Sequence, residues 1–444
     1  MFKMKTITLS LLALLLVMSF ASCASDTTSD LPLPSKDMKA YLQVKVTVEG
    51  SGDTRASRAD KEPDGGEDGN GREPGINKEN DVNSLTVLLY KSDKKGLSEA
   101  DATIDYVYTF TNLNKVTTSS GSDATYTTVP REIDASIVGK NYHVIVIANA
   151  DDMTSKCKGK ISEVRDLQMS KVCTRDADIT NFSNFIMSSK TDAMIDFTKE
   201  GSETDPYVVN VDIERLAARI DIIPNATYDK TNQGYYYNVM DGTNVVGGFK
   251  LESVTPTNVM TKGEYLIKRV SPNAAVSAVT YFGLETKDAA NKATNYVVCP
   301  WTKDRTGLTL SNAEGPTSLY NVQEVASTKS YILDYVMENT TTDNTEVNST
   351  GLIFKGKYYE ETEWNKTTKR PKATATGTDK KYTYTLRHSD PSGSGTIADP
   401  MHFGVVRNNI YQVKVEGVEG KSKGLKLTIH VRKWATYTHD ETTM

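Results

Sequence analysis

The side chains that most often carry enzyme chemistry are scattered in this chain. Its five histidines are far apart: His143, His388, His402, His430 and His439. The patterns HExxH, Walker A and GxGxxG are absent. His143 and His430 fall on predicted strands and are expected to be solvated. We therefore predict that the chain is not an enzyme and holds no cofactor.

The acidic residues also lack the spacing of a cation site. Residues 64–70 (DGGEDGN) loosely resemble a calcium loop. They lack the regular alternation and the closing glutamate of an EF-hand. We therefore interpret this stretch as a solvated linker and predict no metal site.

Cys23 is the residue whose neighbours predict a covalent reaction. Lys3 and Lys5 precede an apolar run of about 14 residues, which is typical of a signal-peptide core and short for a membrane span. The run ends in FASC, as in the lipobox of bacterial lipoproteins, although Phe20 stands where leucine is usual. The thiol of Cys23 would then carry fatty-acyl chains such as palmitate. An ordinary secreted protein with a chance cysteine remains the alternative.

Three further cysteines, Cys157, Cys173 and Cys299, fit neither a zinc pattern nor a CxxC pair. A disulfide between Cys157 and Cys173 and a pair of buried thiols both remain open. The net charge is −5 and the basic residues form no stripe, so nucleic acid is not an expected partner.

A strand near the N-terminus is followed by a segment that a protease can cut. Apolar side chains alternate strictly with polar ones over residues 42–49, and the apolar set is Leu42, Val44, Val46 and Val48. The run from Gly50 to Asn80 is charged and rich in glycine and proline, which predicts a mobile, exposed linker. It contains Arg55, Arg58 and Arg72.

The C-terminal stretch repeats the design of that strand. In GLKLTIHVRKW the apolar positions are Leu425, Leu427, Ile429 and Val431. Two segments with one pattern can fill one groove, so the first strand can serve as a placeholder that a neighbour's last strand replaces. The alternative is that the last strand completes its own sandwich and that the linker arginines are ordinary surface charges.

Most periodic stretches are short and rich in β-branched and aromatic residues, which predicts a mostly-β protein. Two consecutive β-sandwiches are expected, divided near residues 220–230. A helix is predicted over 162–172, and residues 213–222 (IERLAARIDI) are interpreted as a strand. Exposed loops are predicted at 61–80, 337–350 and 366–380.

Several segments in a fixed order resemble the fimbrillins of Bacteroidales. They are the lipobox at Cys23, TRAS after the first strand, INKENDVNSLTVLLY (76–90), IVIANA (145–150), IERLAARIDI (213–222) and VVRNNIYQVKVEGVEG (405–420). The resemblance implies a type V pilus subunit with two transthyretin-like β-sandwich domains. Cys23 matches the acylated cysteine, and Arg55 before Ala56 matches the maturation site of an arginine-specific protease. Arg58 and Arg72 are fallback sites.

The resemblance also implies a domain plan and partners. The plan is a signal peptide (1–22), a lipidated propeptide with the placeholder strand (23–58), an N-terminal domain (59–223) and a C-terminal domain with the donor strand (224–444). The expected partners are further copies of the chain, tip and anchor subunits, the protease, and host or bacterial surface ligands. The precursor would be held in the outer membrane by lipid, and the mature chain would lie in a cell-surface fimbrium.

Two other functions remain open. One is a surface-anchored lipoprotein that binds glycans, with Trp301 or Trp364 as exposed stacking platforms. The other is an anchor or accessory subunit of a fimbrium. A glycan binder would keep both its lipid and its first strand.

Overall fold

A computed structural model describes most of the two β-rich regions. The described residues are 39–48, 71–74, 77–91, 102–116, 124–165, 167, 169, 171–175, 182–190, 193–198, 201–229, 231–232, 234–257, 259, 266, 308–309, 321–325, 328–340, 350–386, 404–420 and 424–435.

In the described part of the chain, the first sheet has ten strands. They are β1 (Ala40–Val48), β3 (Leu85–Tyr90), β4 (Ile104–Phe110), β5 (Leu113–Val116), β6 (Thr125–Thr128), β7 (Arg131–Ile133), β8 (Asn141–Ala148), β11 (Met187–Ser189), β12 (Ala193–Asp196) and β13 (Tyr207–Arg215). Their order is β4-β3-β8-β11-β13-β1-β6-β5, with β12 beside β8 and β7 beside β1. Residues 144–147 of β8 are apolar and buried on both faces, as is typical of a central strand.

The second sheet has twelve strands among the residues that the structure describes. They are β2 (Gly71–Pro74), β14 (Ala217–Ile223), β15 (Tyr228–Asp229), β16 (Gly234–Asp241), β17 (Asn244–Thr257), β18 (Leu308–Thr309), β19 (Asn321–Val325), β20 (Thr328–Met337), β22 (Gly351–Glu360), β25 (Thr378–Thr385), β27 (Asn409–Glu419) and β28 (Leu425–Ala435). The main path is β19-β20-β14-β27-β16-β17-β22-β25.

Short elements complete the described fold. The strand pairs are β9 (Thr174–Arg175) with β10 (Phe182–Ser183), β21 (Asn339–Thr340) with β26 (Gly404–Val405), and β23 (Trp364–Asn365) with β24 (Arg370–Pro371). The helices are α1 (Ile161–Arg165) and three 3-10 turns at Asn77–Asn80, Ala135–Ile137 and Glu361–Glu363.

Each sheet covers its own apolar core, and the two cores meet. Ile332, Tyr335, Met337 and Ile410 come from strands of the second sheet but belong to the core of the first. The second core is built from the opposite face of the same strands, for example Ala218, Leu333 and Tyr411, together with side chains of β16, β17, β22 and β25. The two sheets and their cores confirm the predicted mostly-β class with two β-sandwiches.

The chain passes from one sheet to the other at Leu216. β13 ends at Arg215 and β14 begins at Ala217, so residues 213–222 are strand, as predicted, but they belong to two sheets. Leu216 is buried and its amide donates to the Ile186 carbonyl. Because no turn residue marks this crossover, the sequence placed the division later, at 223/224. That domain division stays a prediction.

The predicted helix at 162–172 is wrong over most of its length. Among the described residues of this stretch only Ile161–Arg165 is helical, and its buried residues are Ile161 and Val164. Farther along, the Val172 carbonyl accepts a hydrogen bond from the Ile186 amide. That tertiary contact draws the chain out of the helix although the apolar spacing favoured it.

The predicted exposed linker is wrong at its end. Gly71–Pro74 forms β2, and the 3-10 turn Asn77–Asn80 inserts two polar side chains, Glu79 and Asn80, into the interior. Residues 366–380 are mostly exposed, as predicted. Of 337–350, the structure describes 337–340 and 350, and Met337 is a buried residue of β20.

Candidate functional site

β1, the predicted placeholder strand, lies in the interior of the first sheet. It runs parallel to β13, with Leu42 opposite Tyr207 and Val48 opposite Ile213. On its other edge it is antiparallel to β6 and β7. β1 is therefore hydrogen-bonded on both edges.

The apolar face of β1 is completely buried. None of the side chains on this face is exposed to solvent: Ala40, Leu42, Val44, Val46 and Val48. Each large aliphatic side chain buried in this way contributes about 1.5 to 3 kcal/mol. The alternation in the sequence thus corresponds to five adjacent apolar sites, which we call the β1 groove.

Thr128 closes the gap between β6 and β7. Its carbonyl accepts a hydrogen bond from Gln43 Nε2 at 2.9 Å, and its Oγ1 accepts one from the Val44 amide at 3.0 Å. At the end of the strand, the Val48 amide donates to the Ala124 carbonyl at 3.0 Å. The backbone of β1 therefore has partners along its full length, and its removal would leave an edge of unpaired groups.

The other face of β1 meets solvent. Lys45 is exposed, whereas Gln43 and Thr47 are half-buried. The residues opposite them on β13 are Val208, Asn210 and Asp212, and all three are exposed. A substitution on this face would therefore leave the core intact.

β28, the predicted donor strand, lies in its own second sheet in this single chain. It is antiparallel to β27, with Ile429 opposite Val413. Leu425 and Leu427 are only half-buried against the second core. This arrangement is the one expected if the last strand completes its own sandwich, and the structure does not bring β28 to the β1 groove.

The other edge of β28 is only partly covered. Among the described strands, only β2 pairs there, in parallel and only along Arg432–Ala435. Arg72, one of the fallback cleavage sites, lies in β2 opposite Lys433. Over Leu425–Val431 the described part of the chain thus gives β28 one partner strand where β1 has two.

Several predicted site residues lie outside the described residues. They are Cys23, Arg55, Ala56 and Arg58. Their roles in lipidation and maturation stay predictions, as does the role of Arg72.

A cluster of buried polar side chains joins the end of the linker to both sheets. The carboxylate of Glu79 accepts hydrogen bonds from Arg219 Nη1 at 3.2 Å and from the Tyr335 hydroxyl. Arg219 also donates to both carboxylate oxygens of Asp221, at 3.0 and 2.9 Å. All of these side chains are buried. Together with Arg215, Asn80 and Asn408, we call them the junction cluster.

Arg215 holds the backbone of the same segment. Its Nε donates to the Glu79 carbonyl at 2.8 Å, and its Nη2 donates to Asn80 Oδ1. Its Nη1 donates to Asn408 Oδ1 at 3.0 Å. Asn408 has a φ of 59°, a left-handed conformation that asparagine tolerates. The last residue of β13 is thereby tied both to the linker and to the second sheet.

The electrostatics of the junction cluster keep Arg219 charged and Tyr335 neutral. Burial alone would lower the pKa of Arg219, but the carboxylates of Asp221 and Glu79 outweigh burial and raise it. Burial and then the charge of Glu79 raise the pKa of Tyr335, so it stays a neutral donor. Breaking one member of such a buried set costs far more than losing a surface ion pair.

Sequence reasoning missed the junction cluster. Its signal is present in IERLAARIDI, where Arg215, Arg219 and Asp221 interrupt an apolar strand pattern. Charged side chains at buried strand positions predict a paired network. Their partner Glu79 could not be identified, because it lies in a segment whose composition predicts a linker.

Other sequence predictions are corrected by the structure. His143 is buried, not solvated, and stacks on Tyr90 with a 5.1 Å centroid distance. Trp364 is 2% exposed and donates from Nε1 to Asn238, so it is not a stacking platform. Cys299, Trp301 and the side chain of His430 lie outside the described set.

Cys157 and Cys173 are both buried thiols, so the disulfide that the sequence left open is not formed. The chain also contains one GxSxG pattern, GKSKG at 420–424. A nucleophile elbow joins a strand to a helix, whereas this pattern connects the antiparallel strands β27 and β28. It is therefore a hairpin connection.

Among the described residues, His, Cys, Asp and Glu side chains form no group of three that could hold a metal ion. The acidic run 64–70 lies outside them. The helices that the structure describes are all too short or too polar to cross a membrane.

Solved structures of Bacteroidales proteins resemble the chain. A putative cell adhesion protein from Parabacteroides distasonis is 15% identical over 90% of this chain and 98% of that one, with a TM-score of 0.44. The tip fimbrial protein Mfa3 from Porphyromonas gingivalis, truncated at its C-terminus, is 14% identical over 89% and 100%, with a TM-score of 0.41. A putative cell adhesion protein from Bacteroides eggerthii is 15% identical over 91% and 99%, with a TM-score of 0.43. Likeness at this level does not by itself identify a function.

A family model carries the identification further. No curated protein matches the chain. Residues 40–234 match the model described as major fimbrial subunit protein (FimA), and this stretch contains β1, the first sheet and the start of the second. The matched family is one of structural fimbrial subunits, in agreement with the prediction that the chain is not an enzyme. The match over residues 40–234 thus confirms the resemblance to the Bacteroidales fimbrillins and supports a fimbrial, adhesin-type protein.

Proposed function

We propose that the chain is a stalk subunit of an adhesive surface fimbria that polymerises by protease-triggered strand exchange. A protease cuts the linker after an arginine, β1 leaves the first sheet, and β28 of a second copy fills the β1 groove. The observation that carries the proposal is a difference in burial and pairing between β1 and β28, which share one alternating pattern. β1 is fully buried and bonded on both edges, whereas β28 is half-buried at Leu425 and Leu427.

Exchange of this kind is favourable for the donated strand. In the groove, Leu425 and Leu427 would lose the remainder of their contact with water, at about 25 cal/mol per Å². The backbone of residues 425–431 would gain a second ladder, and each net hydrogen bond adds on the order of 1 kcal/mol. The donor gives up its pairing with β27, so the gain comes from moving from a one-sided to a two-sided position.

Proteolysis would allow β1 to leave the first sheet, which it would not do at a useful rate while the linker is intact. Four large aliphatic side chains and both ladders hold β1 in place, so spontaneous release would be slow. Cutting after Arg55, with Ala56 as the new N-terminus, separates β1 from the subunit, and Arg58 and Arg72 are the fallback sites. The same cut separates the subunit from lipid at Cys23, so a precursor in the outer membrane would become part of a surface fimbrium.

The junction cluster would keep the chain after the cleaved arginine attached to both sheets. It lies after every arginine of the linker, and Glu79 and Asn80 are held by Arg215 and Arg219. The mature chain would therefore keep a fixed N-terminal attachment between its sheets. Tip subunits, anchor subunits and surface ligands complete the proposed set of partners.

A glycan-binding lipoprotein is the second candidate. The buried position of Trp364 removes one of its two proposed stacking platforms. An anchor or accessory subunit is the third candidate and differs from a stalk subunit in the fate of its N-terminus.

The first test is to determine the N-terminus of the protein taken from the cell surface by mass spectrometry, with SDS gels of heated and unheated samples. We expect an N-terminus at Ala56, or at Ala59 or Glu73, and a heat-sensitive ladder. A variant with Arg55, Arg58 and Arg72 all changed to alanine is the matched control and should remain monomeric. An intact lipidated Cys23 with a single monomer band would overturn the proposal in favour of an anchor or a glycan-binding lipoprotein.

A further inference from the structure

We propose that the donated strand enters the β1 groove in one direction and one register, with Leu425 in the place of Leu42 and Val431 in the place of Val48. This inference rests on the proposed strand exchange and specifies its partner surface, a second copy of this chain. Leu427 and Ile429 then take the places of Val44 and Val46.

The alternation excludes any shift by an odd number of residues. A shift by one would turn Lys426, Thr428, His430 and Arg432 toward five sites that have no exposure in β1. Burying charged side chains there without partners is too costly.

Shifts by two residues fail at the ends of the groove. In one direction, Lys433 would occupy the Val48 site and Leu425 would be forced into the small Ala40 site. In the other direction, Lys423 would occupy the Leu42 site. In the proposed register Gly424 takes the place of Tyr41, and its positive φ of 97° lets the chain turn out of the groove there, so that Lys423 does not enter the Ala40 site.

The direction is set by the two edges of the groove. β1 is parallel to β13 and antiparallel to β6 and β7, and the amides and carbonyls of those strands are placed for that direction. Parallel and antiparallel ladders have different hydrogen-bond geometries, so a reversed strand would fit neither edge.

Side-chain volume favours the same direction. In the proposed direction, leucine replaces leucine at the Leu42 site and valine replaces valine at the Val48 site. A reversed strand would press Leu425 into the Val48 site and leave a void at the Leu42 site, and both changes are destabilising. The two middle sites take one extra methylene in either direction and do not discriminate.

The register of the donated strand can be measured at its solvent-exposed face, where each residue lies opposite a residue of β13. Thr47 is opposite Asp212, and Gln43 is opposite Val208. In the proposed register His430 takes the position of Thr47, and Lys426 takes that of Gln43. Lys426 would also keep a donor near the Thr128 carbonyl, to which Gln43 Nε2 donates.

The test is a cysteine scan between two populations of full-length precursor. One carries Asp212→Cys as the acceptor, and the other carries Lys426→Cys, Thr428→Cys, His430→Cys or Arg432→Cys as the donor. The two are mixed, cut with an arginine-specific protease, oxidised mildly and run on non-reducing gels. Directly paired strand residues are close enough for a disulfide. The unsubstituted precursor, whose Cys157 and Cys173 are buried, gives the background.

We expect the His430→Cys donor to yield at least tenfold more disulfide-linked dimer than the other three. Stronger linkage through Thr428→Cys or Arg432→Cys would overturn the register, and linkage through Lys426→Cys would overturn the direction. In all of these cases polymer still forms, so strand exchange itself would stand. If the gels show no ladder of polymer bands and no donor variant forms a disulfide-linked dimer, the proposed function fails as well.

A second acceptor variant keeps the test decisive if Asp212→Cys does not fold. Val208→Cys, at a side chain 49% exposed, should link to the Lys426→Cys donor, whereas a reversed strand would link it to His430→Cys. The two acceptors must therefore select different donors, and one common donor for both would overturn the proposal.

Discussion

Arg219 Nη1 lies 3.2 Å from both carboxylate oxygens of Glu79, although 140 residues separate them in the sequence, and neither side chain has any exposure. Glu79 lies at the end of the predicted linker, whereas Arg219 lies in β14 of the second sheet. Their contact ties the segment at Glu79 to the second sheet, and Arg215 of β13, which donates to the Glu79 carbonyl, ties it to the first.

Replacing Glu79 by glutamine should destabilise the protein strongly. The substitution removes one of two carboxylates that balance Arg219 in a fully buried site, and losing one partner of a buried pair costs about 3 to 5 kcal/mol. Denaturant unfolding of wild type and variant measures the difference. Asp151→Asn, which removes a carboxylate 3.2 Å from Lys171 on the surface, is the matched control and should change stability far less. Equal effects of the two substitutions would contradict the assignment of the junction cluster as a structural tie.

Ile429→Asp should give a folded monomer that cannot be donated. The aspartate would enter the fully buried Val46 site of the neighbouring subunit, at a cost of several kcal/mol. The matched control is Thr428→Asp, which places the same charge on the polar face of the same strand. Circular dichroism checks folding, and unheated SDS gels after proteolysis measure polymer. A normal ladder from Ile429→Asp would remove the donor-strand proposal.

Cys157 should resist alkylation in the native protein. Burial raises the pKa of its thiol to about 12, an effect only partly opposed by the charge of Lys156. Because the thiolate is the reactive form, modification by iodoacetamide at pH 8 should be at least about a hundredfold slower than in denaturant. Peptide mapping by mass spectrometry follows the residue, with the denatured protein as the control. Rapid labelling under native conditions would show that this part of the first core opens readily.

Asp229→Asn should lower stability near pH 6 but not near pH 2. Burial would raise the pKa of Asp229, but hydrogen bonds from Asn232 and Arg370 outweigh it and lower the pKa to about 2. A carboxyl whose pKa is depressed by folding stabilises above its unfolded pKa of 3.8 and loses that contribution as the pH falls toward 2. The shift corresponds to about 2 kcal/mol at neutral pH.

Denaturant unfolding between pH 2 and pH 6 measures this dependence. Asp379→Asn is the matched control, because Asp379 pairs with Lys357 at 3.2 Å but is 90% exposed. The control should show no comparable change across this range. A stability difference for Asp229→Asn that is the same at both ends of the range would refute the assigned pairing with Arg370.

Local alternation predicted the two strands that matter most. The pattern of Leu42 to Val48 predicts a half-buried strand and corresponds to β1, and the pattern from Leu425 corresponds to β28. Successive side chains of a strand point to opposite faces of the sheet. An alternating apolar pattern therefore predicts both the strand and the face that is buried.

Long-range polar contacts could not be predicted in the same way. Glu79 occurs among charged and flexible residues, and only Arg219, far along the chain, explains why it is buried. The helix expected at 162–172 gave way to the pairing of Val172 with Ile186 for a similar reason. In the proposed strand exchange the partner of β28 is a second chain, so neither the sequence pattern nor one folded copy determines it.

The parallel pairing of β2 with the end of β28 bears on the order of events at the linker. Arg72 lies within β2, and its backbone is already engaged opposite Lys433. A protease binds its substrate as an extended, unpaired segment, so this peptide bond is protected while β28 stays in place. Trimming at Arg72 would then follow the departure of β28, and the length of a subunit's N-terminus would report whether that subunit has already given its last strand to a neighbour.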